Sequence, residues 1–131
     1  MIIVALADIH DDLEGLGVIA EDLSAADVVL LTGDLTNFGR QAGAARVVRA
    51  VRQYTDRVLA VPGNCDYPEV EAYLSHEGVN LHRRSVVIAG FAFLGVGGSL
   101  PCPGRTPNEY SEKEIEAFLA EAAPRSIPKT P

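Results

Sequence analysis

The chain has 131 residues, 47% hydrophobic and 22% charged, with a formal net charge of −7. That length suits one domain with its own core, and the composition excludes a disordered chain. The acidic balance offers no basic face for nucleic acid, and no apolar run approaches the roughly 18 residues of a membrane span.

The N-terminus has no basic leader, and its apolar run is broken by Asp8. With only Cys65 and Cys102 as thiols, the expectation is a cytoplasmic protein with both cysteines free. Ile2 to Ala7 predicts a buried strand. Asp8 and His10, two residues apart, are expected to share one face at its C-terminal end. Leu13, Leu16, Ala20 and Leu23 then recur at helical spacing, and Asp11 with Glu14 resembles a capping box. Gly15 and Gly17 weaken that helix.

Val28 to Leu31 is a second continuous apolar strand, ending in Thr32-Gly33-Asp34. A helix is expected from about Arg40 to Tyr54, with Ala44, Val47, Val48 and Val51 on its buried face and Arg46, Arg49 and Arg52 solvated. Val58 to Val61 is a third short strand, closed by Pro62-Gly63-Asn64-Cys65-Asp66. Pro followed by Gly predicts a type II turn. Apolar strands alternating with helices indicate parallel strands in an α/β fold. Right-handed crossovers put all three polar tips on one sheet edge, where ligands bind in open α/β sheets. Asp8, His10, Asp34 and Asn64 should therefore converge.

A further helix is expected from Tyr67 to His76, with Pro68 in its first turn. Arg84 to Ile88 and Phe91 to Gly95 read as a hairpin turning at Ala89-Gly90. A Gly- and Pro-rich loop follows, from Gly97 to Asn108. The last helix runs from Ser111 to about Ala122. Ser111 and Glu114 form its capping box, and Ile115, Phe118 and Leu119 its buried stripe. Residues 1–123 are expected to form one domain, and 124–131 an irregular tail. Asp66 is expected to orient or cap, Asn37 and Arg40 to be loop residues near the site, and His76, His82 and Cys102 to be bystanders.

Each of these motifs is common alone. In this order, each ending an apolar strand, Asp8-x-His10, Gly33-Asp34 and Gly63-Asn64-Cys65-Asp66 resemble the calcineurin-like metallophosphoesterases. The likeness is to the small prokaryotic phosphodiesterase type, whose third motif reads Gly-Asn-Cys-Asp. It covers residues 1 to about 110, and Gly97-Gly98-Ser99 and Thr106 to Tyr110 add to it. The resemblance implies an αββα sandwich. This chain would supply the N-terminal β-α-β-α-β half, a hairpin and a C-terminal helix.

The resemblance also implies a phosphoester hydrolase, foremost a phosphodiesterase, with two divalent metal ions holding a hydroxide in line with phosphorus. Asp8 and His10 would bind the first ion, Asp34 would bridge both, and Asn64 would bind the second. Manganese leads the choice, with iron, nickel or zinc also suited to mixed O/N ligands. Asp34, Asn64 and Cys65 would be catalytic, Cys65 standing where many relatives carry a His. The substrate would be a small phosphoester. The family pattern continues with a later His and Gly-His-x-His, which do not occur here. The sequence therefore reads as C-terminally truncated with an incomplete second site, or as completed by a homo-oligomer. The alternative is a non-catalytic scaffold of the same fold. A dinucleotide-binding domain is disfavoured, since no Gly-x-Gly-x-x-Gly follows the first strand.

Overall fold

Three parallel strands carry the fold: β1 (Ile3–Leu6), β2 (Val28–Thr32) and β3 (Val58–Val61), paired in that spatial order. The computed structural model describes residues 1–124, so the expected irregular tail lies almost wholly outside the described residues. Register pairs Ala5 with Leu30 and Leu30 with Leu59. Strand alternation then sorts the side chains. Val4, Leu6, Val29, Leu31, Val58 and Ala60 join the core, together with the helices α1 (Ala20–Ala25), α2 (Gln41–Arg52) and α3 (Pro68–His76). Right-handed connections between neighbouring parallel strands put these helices on one face. Val47, Val48 and Val51 of α2 are fully buried there, each contributing about 1.5 kcal/mol or more.

Leu30, Leu59 and Val61 face the other way. They line a cavity of about 250 Å³ with Leu81, Phe93 and Val96. Ile3 stays 47% exposed. The hairpin β4 (Arg84–Ile88) and β5 (Phe91–Gly95) pairs in the expected register, Ile88 opposite Phe91. Its turn residues Ala89 and Gly90 have φ of 50° and 83°, the two positive values of a type I′ turn.

A segment with no strand signal in the sequence links the two sheets. Ala60 N–H donates to Val79 and Leu81 N–H to Ala60, both at 2.8 Å, while Arg83 N–H reaches Gly95 at 2.9 Å. Residues 79–83 thus extend the row of hydrogen bonding from β3 to β5. Gly95 fits because a Cβ there would meet the Leu81 carbonyl at 2.7 Å.

The expected first helix is corrected. Glu14–Ile19 is a 3₁₀ turn, and only Ala20–Ala25 is α-helical. The Asp11–Glu14 capping box does not form. Glu14 N–H goes to Asp12, and Asp11 accepts from Asn37 N–H instead. The box on α4 (Glu112–Ala122) does form, through Ser111 and Glu114. Its stripe is only partly covered, with Leu119 46% exposed. Arg52 is not solvated but bonds the Glu77 carboxylate and carbonyl. No helix among the described residues is long and apolar enough to cross a membrane.

His82 is a buried packing residue. Its ring stacks on Tyr110 at 5.8 Å and meets Phe118 edge-on at 5.2 Å. Nδ1 accepts from Gly97 N–H at 2.8 Å, and Nε2 is buried without a partner among the described residues. Burial lowers its pKa, Arg83 adds to that, and Glu71 and Glu121 oppose it. The unfolded chain then binds a proton that the fold refuses. Stability is full above the unfolded value of about 6.5 and falls as pH drops below it. Urea midpoints at pH 7.5 and 5.5 should differ in that sense. His82→Gln, which can still accept from Gly97, should flatten the difference.

Candidate metal centre

β1 ends at Leu6, so strand alternation does not aim Asp8 and His10. Both residues follow the strand with φ of 54° and 47°, and Asp34 has φ of 49°. The left-handed region is unusual for non-glycine residues and is best tolerated by Asp, Asn and His. The loops hold it by continuing the β1–β2 ladder. Asp8 N–H reaches Gly33 at 3.3 Å, His10 N–H reaches Asp34 at 2.9 Å, and Asp11 N–H reaches Leu35 at 3.0 Å.

These turns bring three side chains together. One ligand atom each from Asp8, His10 and Asp34 lies within 4.8 Å of the others. His10 Nε2 is 3.9 Å from Asp8 Oδ1 and 3.7 Å from Asp34 Oδ2. His10 Nδ1 lies 3.3 Å from the Thr36 carbonyl. A carbonyl only accepts, so Nδ1 must carry the proton, and a neutral ring presents its Nε2 lone pair to both carboxylates. Three acceptors that face one another are stable around a cation. The two His10 separations, 3.9 and 3.7 Å, are within the span of two ligands about 2.0–2.2 Å from one shared ion.

Asp34 also reaches the third loop, because its Oδ1 accepts from Cys65 N–H at 2.9 Å. Its two oxygens thus point to two loops. Gly63 permits this contact by lacking a side chain, since a Cβ there would overlap Asp34 Oδ1 and the Asp34 backbone nitrogen. The type II turn expected at Pro62-Gly63 is absent, because Gly63 is not among the residues with positive φ. Close approach, not backbone handedness, demands glycine here.

Asp66 fastens the loops from below. It is fully buried. One oxygen accepts from Leu35 N–H at 3.1 Å and Gly63 N–H at 2.8 Å, the other from Thr36 N–H at 2.9 Å and Thr36 Oγ1 at 2.6 Å. Asn64 sits in the same loop and directs Nδ2 to Thr106 Oγ1 at 3.2 Å. Burial first, and then the Asp34 charge, push the Cys65 thiol up.

A family model described as calcineurin-like phosphoesterase matches residues 1–128. The chain belongs to the calcineurin-like phosphoesterase family. It is 38% identical over 115 residues to the uncharacterized protein MJ1162 of Methanocaldococcus jannaschii. That match covers 88% of this chain and 51% of the other, so the chain spans about half the length of that curated relative. TT1561 of Thermus thermophilus shares the fold. Its crystal structure has a TM-score of 0.74 at 24% identity, covering 90% of this chain and 60% of that one.

Within this calcineurin-like phosphoesterase chain, the structure gathers Asp8, His10 and Asp34 and joins the loop that carries Asn64 to them through the Cys65 N–H bond to Asp34, while the Asn64 side chain itself bonds Thr106. Arg40 is engaged elsewhere, 2.8 Å from Glu69 and stacked 3.8 Å over the Tyr67 ring. His76 is a surface side chain, 86% exposed. Sequence reasoning assigned no role at the site to Thr36, Asp11 or Thr106. Thr36 carries both the His10 tether and an Asp66 bond. Asp11 holds Asn37 N–H at 2.9 Å and lies 3.1 Å from Arg46. Asp11, standing beside His10 in the run Asp8 to Asp12, was the one readable signal.

Proposed function

We propose that this chain is a metal-dependent phosphoester hydrolase, with phosphodiesters as its substrate class. The observation that supports it is the set of three mutually facing acceptors, Asp8 Oδ1, His10 Nε2 and Asp34 Oδ2. On this reading Asp8 and His10 hold one cation, Asp34 is shared, and Asn64 Oδ1 serves a second. Divalent cations there supply an activated water and neutralise phosphoryl oxygens as charge builds. Manganese is the first choice, with iron, nickel or zinc compatible with the donor set. His10 keeps its ligating nitrogen free through the Thr36 carbonyl. Asp34 fixes the third loop through Cys65 N–H. Cys65 offers a thiol, a weak acid toward an alkoxide, so good leaving groups are favoured.

Protein loaded with Mn²⁺ is expected to hydrolyse bis(p-nitrophenyl) phosphate, and to lose that activity on chelation. Bound metal with no turnover for any phosphomonoester or diester would instead support the scaffold reading. One observation favours that second reading: among the described residues, the group of three or more metal-binding His, Cys, Asp or Glu side chains is the single set Asp8, His10 and Asp34. The proposal extends to one domain over residues 1–123, and to a homo-oligomer in which copies cover the open sheet face of Ile3, Leu30 and Leu59.

A further inference from the structure

The side-chain amide of Asn64 has two ends of nearly equal size and opposite chemistry. Oδ1 can bind a cation and Nδ2 cannot. Something must select the orientation, and the neighbouring loop supplies it. Thr106 Oγ1 has one proton, and it donates that proton to Glu109 Oε2 at 2.6 Å. An ionised carboxylate only accepts, so toward Asn64 the hydroxyl has only lone pairs left. It can accept Nδ2, as it does at 3.2 Å. With the amide reversed, Oδ1 would face those lone pairs.

We infer that Glu109 and Thr106 form a positioning relay that holds Asn64 with Oδ1 turned toward the cation. The inference rests on the reading of Asn64 as a ligand. Several contacts keep the relay in place. Thr106 N–H also donates to Glu109 Oε2, at 2.6 Å. Asn108 N–H reaches the Asn64 carbonyl at 3.1 Å, and its side-chain amide reaches the Gly63 carbonyl at 3.1 Å. Gly98 N–H binds the Pro62 carbonyl at 2.9 Å. The loop is thus hydrogen-bonded to Pro62, Gly63 and Asn64 in turn. The Thr106 hydroxyl, as the main cause, lowers the Glu109 pKa, which keeps the carboxylate in its acceptor form at neutral pH. Both hydrogen bonds of the Asn64 side chain leave from Nδ2, the second being a long contact to Cys102 Sγ at 3.9 Å.

The test is solution NMR of the ¹⁵N-labelled chain, titrated with Zn²⁺. In the unaltered protein, the Asn64 amide protons should show cross-peaks to Thr106, and zinc should shift the Asn64 Nδ2 resonance. Thr106→Val removes the hydroxyl at constant shape. It should raise the zinc concentration at half-shift for Asn64 by about 10-fold, the scale of lost outer-shell support. The His10 ring response should be unchanged, and Thr106→Ser should restore Asn64. If Thr106→Val loses its folded spectrum, Glu109→Ala makes the same test by freeing the hydroxyl proton. An Asn64 response that is equal in the native and altered proteins overturns the relay alone. A native protein in which zinc moves His10 but never Asn64 overturns the ligand reading, and the relay with it.

Discussion

Asp66→Ala should destabilise the protein by about 4 kcal/mol or more, a large part of the 5–15 kcal/mol that holds a typical domain. The change removes one acceptor from four donors: the backbone N–H groups of Leu35, Thr36 and Gly63, and the Thr36 hydroxyl. The three backbone donors are buried, so water cannot replace the carboxylate without opening the loops. Asp66→Asn keeps one acceptor oxygen and turns an NH₂ toward the remaining donors, so roughly half the loss is expected. Urea denaturation should show the midpoint falling at constant slope. A midpoint for Asp66→Ala within experimental scatter of the native one would refute this account of how the loops are joined.

Asp34→Asn should behave in the opposite way, leaving the fold intact while abolishing function. Asn tolerates the left-handed backbone that Asp34 adopts at φ 49°. Its carbonyl oxygen can still accept from Cys65 N–H, as Asp34 Oδ1 does at 2.9 Å. What is lost is the charge, and the oxygen that faces His10 Nε2 at 3.7 Å becomes an amide. Changes to groups that merely support ligands cost 10–100-fold in metal affinity, so loss of a shared ligand should cost on the order of 100-fold or more. Hydrolysis of the aryl phosphodiester should fall at least as far, with a urea midpoint close to the native one. Retained metal content and turnover in Asp34→Asn would remove Asp34 from the proposed centre.

The parallel strands were legible because Val28–Leu31 and Val58–Val61 are apolar on both faces, the pattern of parallel strands, with one face in the helical core and the other lining the cavity. The hairpin was legible from Ala89-Gly90, and α4 from its capping box. Residues 79–83 were not. Asn80 and His82 interrupt the apolar pattern, and their pairing with β3 and β5 depends on partners about 20 and 13 residues away. His82, set among Asn80, Arg83 and Arg84, looks solvated. Only the fold shows Tyr110 and Phe118 closing over it.

Of the four residues expected to converge, Asp8, His10 and Asp34 come together, while the Asn64 side chain bonds Thr106; the local cause also differs from the expected one. Left-handed turns, not strand alternation, aim these side chains. Spacing does not reveal them, because a two-residue step looks the same in a strand and in a loop. The roles of Asp66 and Thr106 are hard to see in the sequence for a related reason. Their value lies in partners about 30 and 42 residues away, and one sequence carries no trace of such pairings.

Those left-handed turns also constrain how the site can vary. At positions 8, 10 and 34 the backbone prefers glycine, while the proposed metal centre needs a side chain. Asp, Asn and His are the few residues that partly meet both demands. A β-branched or bulky replacement would fail on backbone grounds before its chemistry was tested. Glycine would relax the loop and leave nothing to hold a cation. At these three positions, backbone stability and the proposed metal centre make opposing demands.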